Sequence, residues 1–160
     1  KIIIYYNKGA GILIANSSNT TVDGNILVRN RDNIQLLQQD RGLGPVLNVF
    51  GDSFRNNTLI GLSATTNSLI GVNDQNNFGV INKNTTDSNQ VYHVSPLPTE
   101  TAWYRWGGSY NTPAALCAAQ NQECNSTVLT QAQADQVLIA NNIPLTPGTP
   151  PPPPPSFTRF

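Results

Sequence analysis

The chain contains no methionine, one histidine and two cysteines, and only 11% of its 160 residues are charged, with a formal net charge of zero. Its nine basic residues are scattered. Nucleic-acid or anionic-membrane binding needs clustered Lys and Arg, so neither partner is expected. No apolar run approaches the roughly 20 residues of a membrane span, and Ile2-Ile3-Ile4 is far too short, so no direct membrane insertion is expected. His93 stands alone and the cysteines, Cys117 and Cys124, lack nearby ligand partners, so no metal site and no cofactor are expected. The opening on Lys1, with neither Met nor a signal peptide, predicts a processed terminus or the edge of a longer protein.

What the chain has is a short period. In Gly11 to Asn33, aliphatic pieces alternate with Asn, Ser, Asp and Gly corners too closely for any helix. Ile12-Leu13-Ile14, Thr20-Thr21-Val22, Ile26-Leu27-Val28 and Ile34-Gln35-Leu36 are the strand-like pieces. The step from Ile12 to Ile34 matches one turn of a parallel β-solenoid, whose repeats run roughly 20 to 29 residues. Strand signals resume at Val46 to Phe50, Thr58 to Ile60, Ser68 to Val72, Phe78 to Ile81 and Gln90 to Val94, with a corner insertion expected at Arg41 to Pro45. An antiparallel sandwich gives a similar density of short strands. The near-continuous aliphatic runs and the absence of Asn-Gly hairpin turns favour the solenoid.

Asparagine is abundant. Solenoid corners explain this, because Asn tolerates the left-handed backbone region and its amide can bond to Asn in the next coil, a role expected for Asn25, Asn30, Asn57 and Asn82. Five Asn-x-Ser/Thr sequons, at Asn16, Asn19, Asn56, Asn84 and Asn125, fall in expected corners and are candidate glycan acceptors. Cys117 and Cys124 read as a short local disulfide, or alternatively as free buried thiols. The sequons and the disulfide point to an extracellular, secreted or cell-surface location.

Three regions follow. Residues 1–94 read as parallel coils. Residues 95–143 hold an aromatic loop, Trp103-Tyr104-Arg105-Trp106, then a helix over Ala114 to Gln120 with Thr112 as N-cap and Pro113 in its first position. A second helix is expected from Thr130 through Asn141, with Ala132, Val137, Leu138 and Ala140 on its apolar side. Residues 144–160 are a proline-rich linker or stalk, in which Pro150, Pro151, Pro152, Pro153, Pro154 and Pro155 predict an extended polyproline II strut.

The run GILIANSSNTTVDGNILVRNRDNIQL resembles one full repeat, and the start of the next, of the right-handed parallel β-helix or pectin-lyase-like superfamily. The segment YRWGGSYNTPAALCAAQNQECNS, from Tyr104 to Ser126, is similar to the terminal segment that follows the last coil of many secreted β-helix proteins and covers its open end. The resemblance implies an all-β solenoid with a small helical C-terminal cap. It implies no particular activity, because the superfamily holds lyases, hydrolases, epimerases, adhesins and structural shafts. Thr149, the six prolines and Ser156 resemble the polyproline blocks of extensins, in which prolines are hydroxylated and glycosylated; by that likeness Pro150 to Pro155 are candidate sugar-bearing prolines.

No catalytic constellation stands out. Glycoside hydrolysis needs two carboxylates about 5–10 Å apart. Asp23 with Asp32, or Asp32 with Asp40, are the pairs that a coil could bring to that spacing, but corner Asp residues usually cap turns. His93 reads as a surface or edge residue, and Arg29, Arg31, Arg41 and Arg55 as a solvated face rather than a uronate-reading stripe. Trp103, Tyr104 and Trp106 either stack on sugars or close the apolar end of the solenoid, with closure favoured. The expected function is therefore an extracellular structural or surface glycoprotein, a scaffold assembling head to tail into filaments or matrix material. Its partners are glycans, covalent or bound, and copies of itself. The alternatives are the C-terminal part of a secreted polysaccharide lyase or glycosidase and a non-catalytic carbohydrate-binding module.

Overall fold

The computed structural model describes residues 1–40, 49–61, 68–75, 77–94 and 102–146. The expected insertion at Arg41 to Pro45, most of the expected Val46 strand and the prolines Pro150 to Pro155 lie outside them. The described chain is mostly β, and its strands follow in sets of three. A first pass holds β1 (Ile3–Tyr5), β2 (Ala10–Ala15) and β3 (Thr21–Asp23), and a second β4 (Ile26–Val28), β5 (Asp32–Gln38) and β6 (Ser53–Arg55). A third holds β7 (Thr58–Gly61), β8 (Ser68–Asp74) and β9 (Thr85–Asp87), and a fourth β10 (Gln90–His93) and β11 (Tyr104–Arg105). There follow β12 (Ser109–Tyr110), helix α1 (Pro113–Gln120), β13 (Thr127–Val128) and helix α2 (Gln131–Ala140).

Every third strand returns to the same sheet. The first sheet runs β1-β4-β7-β10-β13, the second β2-β5-β8-β11-β12 and the third β3-β6-β9. All pairings are parallel except that of β11 with β12, which ends the second sheet. This is a solenoid-like arrangement, consistent with a parallel β-helix, and the sandwich alternative is set aside. Ile12 pairs with Ile34, the step that the sequence suggested.

Parallel register stacks like residues into interior files. Leu27, Leu59 and Val91 stack along the first sheet, Ile34, Ile70 and Tyr104 along the second, and Val22, Phe54 and Thr86 along the third. All nine are buried. Each aliphatic member contributes about 1.5–3 kcal/mol by leaving water. The corner after the third sheet needs left-handed backbone, and Gly24, Asn56 and Ser88 occupy it with φ of 69°, 55° and 58°.

Two expectations on local structure are corrected. Phe78 to Ile81 is no strand: Gly79 takes φ 71° and a 3-10 turn follows at Val80–Asn82. The Asp74 carboxylate fixes that turn by accepting the N–H groups of Phe78, Gly79 and Val80 at 2.9, 2.8 and 3.1 Å. The expected apolar side of α2 differs too, since Ala134 and Leu138 are its buried residues while Ala132 and Ala140 are exposed.

The chain divides into two compact units, Lys1–Val128 and Leu129–Phe160. In the first, Thr112 caps α1 by accepting the Ala115 N–H at 3.1 Å, with Pro113 in the first turn. In the second, α2 starts on a reciprocal capping box between Thr130 and Gln133.

Candidate functional site

The side chains that most clearly act as a set are the corner amides. The Ile2 N–H donates to Asn25 Oδ1 at 2.9 Å, the Asn25 N–H to Asn57 Oδ1 at 3.0 Å and the Asn57 N–H to Asn89 Oδ1 at 2.9 Å. The steps are 23, 32 and 32 residues. The two Asn-to-Asn rungs are doubled, because Asn25 Nδ2 and Asn57 Nδ2 donate to the same oxygens at 3.3 and 3.2 Å. A second ladder crosses the other corner of the third sheet, from the Thr20 N–H to Asp52 Oδ1 at 2.7 Å and from the Asp52 N–H to Asn84 Oδ1 at 2.8 Å. Asp52 is buried and its second oxygen has no hydrogen-bond partner among the described residues. Burial raises its pKa, against the lowering effect of the Thr20 contact.

The first ladder ends on a substitution of parts. Where a further Asn would accept from Asn89, Ser126 Oγ accepts the Asn89 N–H at 2.8 Å and Glu123 Oε1 accepts Asn89 Nδ2 at 2.7 Å. Glu123 also accepts from the hydroxyls of Thr86 and Ser126, and the Tyr104 hydroxyl lies 3.5 Å from its other oxygen. The carboxyl is buried, and desolvation raises its pKa against the lowering effect of its hydroxyl and amide donors. Burial, and then the Glu123 charge, push the Tyr104 phenol well above its ordinary value.

A second buried carboxylate ties the second sheet together. Asp32, 1% exposed, accepts from Ser68 Oγ at 2.5 Å and from the Arg105 guanidinium at 2.6 Å, with Arg31 Nε 3.4 Å from its other oxygen. Arg105 reaches it across Gly71, its pairing partner on β8. A Cβ at Gly71 would lie 2.8 Å from Ser68 Oγ and 3.2 Å from the guanidinium, so the crossing needs glycine.

An open depression of about 380 Å³ adjoins the C-terminal end of β8. Val72, Ile81, Asn77, Asn82 and Asp74 line it together with the backbone of Gly79 and Gly107. Its carboxylate is the one already holding three backbone N–H groups, which suits it to organising the turn rather than to acting as a base. No protein-family model matches the chain, no curated protein matches it, and no solved structure matches it.

The sequence-predicted residues separate cleanly against this geometry. Cys117 and Cys124 form a disulfide. Asn25, Asn30 and Asn57 make coil-to-coil bonds, while Asn82 is exposed and Asn84 takes the rung expected of it. Among the glycan candidates, Asn19, Asn56 and Asn125 are exposed and Asn16 is half-buried. Asn84 is only 2% exposed, and its Nδ2 donates to the Val49 and Val80 carbonyls. Tyr104 and Trp106 are fully buried and Trp103 nearly so, all within the core, so Tyr104 and Trp106 present no open ring face to a sugar. Trp106 Nε1 donates to the Ile81 carbonyl at 3.1 Å.

His93 is buried rather than superficial, and its ring stacks on Trp103 with centroids 6.2 Å apart. Asp23 pairs with Arg55 at 3.5 Å on the third sheet, whereas Asp32 belongs to the second, so each carboxylate has its own basic partner. Arg29 lies over the Tyr6 ring and donates to its hydroxyl at 2.6 Å, Arg31 faces Asp32 and Arg55 faces Asp23. These arginines form separate contacts rather than one stripe, and Arg41 lies outside the described residues. Sequence reasoning missed Asn89, Asp52, Arg105 and Glu123. The 32-residue step from Asn57 would have found Asn89.

Proposed function

We propose that the chain is a right-handed parallel β-helix of the pectin-lyase-like superfamily and serves as an extracytoplasmic structural scaffold that carries glycans. Right-handedness is supported by the near-universal hand of parallel crossovers within one sheet. The observation that carries the scaffold reading is the doubled Asn25–Asn57–Asn89 ladder with its Glu123–Ser126 terminus. It commits the buried polar groups of this corner to coil stacking rather than to a ligand. The Cys117–Cys124 disulfide supports an oxidising, extracellular setting. The proposal includes head-to-tail association of copies, to which the exposed apolar side chains of Ile2 and Leu13 offer contact.

The test is incubation of the purified protein with pectin, alginate and glycosaminoglycans, following ultraviolet absorbance of unsaturated products and release of reducing ends. No depolymerisation is expected. Catalytic release of oligosaccharides would replace the scaffold by a polysaccharide-active enzyme. Sedimentation of the same sample across a concentration series checks the association, which the proposal expects to be concentration-dependent.

A further inference from the structure

We infer that Asn56 and Asn125, on one longitudinal edge of the coil stack, are acceptors of N-linked glycans and that Asn84 is not. This rests on the extracytoplasmic reading above and adds which sequons the folded chain can serve. Asn56 is exposed in the left-handed corner after β6, and its Nδ2 donates to Asp23 Oδ1 at 3.0 Å. Asn125 is exposed too, with its N–H and Nδ2 donating to the Asp87 carboxylate at 2.8 and 2.6 Å. Asp23 and Asp87 occupy the same place in the third sheet, one on each side of Arg55. The two contacts are therefore one motif, an Asp of one coil held by a corner Asn of the next, repeated along the stack.

A primary amide has two hydrogens. In the transfer, Nδ2 attacks the anomeric carbon of a polyprenyl-pyrophosphate-linked oligosaccharide. A C–N bond forms, the anomeric C–O bond to phosphate breaks, the lipid pyrophosphate leaves with the electron pair, and one amide proton passes to the base of the transferase. The second amide hydrogen stays, so Asn56 and Asn125 keep their bonds to Asp23 and Asp87 with the sugar pointing to solvent. Asn84 has no such reserve. Its Nδ2 bonds two carbonyls, Val49 O at 3.1 Å and Val80 O at 2.8 Å, while its Oδ1 takes the Asp52 N–H. A sugar on Asn84 would orphan a buried carbonyl and break the second ladder at a position closed to water.

The chain, secreted from a eukaryotic host behind that host's own signal, is taken as its folded, disulfide-bonded fraction. Glycans are released by peptide N-glycosidase in oxygen-18 water, which marks each formerly occupied Asn as heavy Asp, and peptides are mapped by mass. Label is expected on Asn56 and Asn125 and none on Asn84, with Asn56→Gln and Asn125→Gln each removing one glycan from the intact mass. Label on Asn84 in the folded fraction, or none on Asn56 and Asn125, would overturn the siting. The same map on protein from its natural source separates the two ideas. Sites bare there but occupied in the host overturn the glycoprotein reading and leave the siting standing.

Discussion

Truncating the central rung, Asn57→Ala, is the sharpest test of whether the ladder holds the coils together. Asn57 is fully buried; its Oδ1 accepts the Asn25 N–H and Nδ2, and its Nδ2 donates to Val22 O at 2.9 Å and to Asn89 Oδ1. Alanine leaves the Asn57 main-chain bond to Asn89 in place but strips the Asn25 N–H and the Val22 carbonyl of these partners. A buried group left unsatisfied costs about 1–3 kcal/mol, so the two together cost about 2–6 kcal/mol. Whole domains are stable by only about 5–15 kcal/mol, so the loss is a large fraction. The adjacent Asn56→Ala serves as control. That side chain is exposed and makes one bond to Asp23, and its penalty is chiefly the left-handed backbone, about 1–2 kcal/mol. Urea unfolding, followed by far-ultraviolet circular dichroism and by the fluorescence of buried Trp103 and Trp106, ranks the two. If Asn57→Ala proves no more destabilising than Asn56→Ala, the ladder is not what secures the stack.

Glu123→Gln tests the ladder terminus through pH. The native carboxyl titrates above its ordinary value because it is buried, so its charge burdens the fold at neutral pH. As pH falls through the raised value towards the ordinary one, the folded state takes the proton first and the wild type gains stability relative to Glu123→Gln, with no further gain below. Asp87 lies on the same descent with its pKa lowered, desolvation being outweighed by the Asn125 and Ser88 contacts; its charge also helps to raise the Glu123 pKa, so the comparison reads Glu123 together with that coupling. Melting temperatures of the pair from neutral to mildly acidic pH read this out, and parallel curves would contradict it. Trp106→Ala should cost about 3–5 kcal/mol, as for a large buried aromatic, and a variant melting like wild type would return the ring to a surface role. Replacing Cys117 and Cys124 by Ser opens a short loop and should cost about 2.5 kcal/mol, matched by reductant acting on the wild type in the same denaturant titration.

How much was legible depended on what each segment buries. Ile26 to Val28 and Thr58 to Ile60 stood out because their aliphatic residues run without a break. Strands β6 and β9 passed unnoticed, since Ser53-Phe54-Arg55 and Thr85-Thr86-Asp87 each point one residue inward, and in β9 that residue is a threonine. Phe78 to Ile81 had the composition of a strand, but three N–H groups drawn to Asp74 turned it into a 3-10 turn. The first helix was readable from its Thr112 cap, whose chemistry is local, whereas the second was read from its apolar residues and its Thr130–Gln133 capping box went unread. The terminus at Glu123 was not, because a lone Glu in a polar turn looks solvated until the fold brings Asn89 and Thr86 against it.

The equal 32-residue steps from Asn25 to Asn57 and from Asn57 to Asn89 have a consequence for how such a chain changes length. Each interval carries a whole pass through the three sheets and begins and ends on the same chemistry, a left-handed corner followed by a rung amide. Removing residues 57–88 would set Asn89 after Asn56 and let Asn25 donate to Asn89 as it now does to Asn57. The interior files would then continue from Leu27 to Val91 and from Phe54 to the Glu123 side. Height along the stack is thus decoupled from local sequence, and a gene could lengthen or shorten this body by a single in-frame event without redesigning one Asn-to-Asn rung of the first ladder.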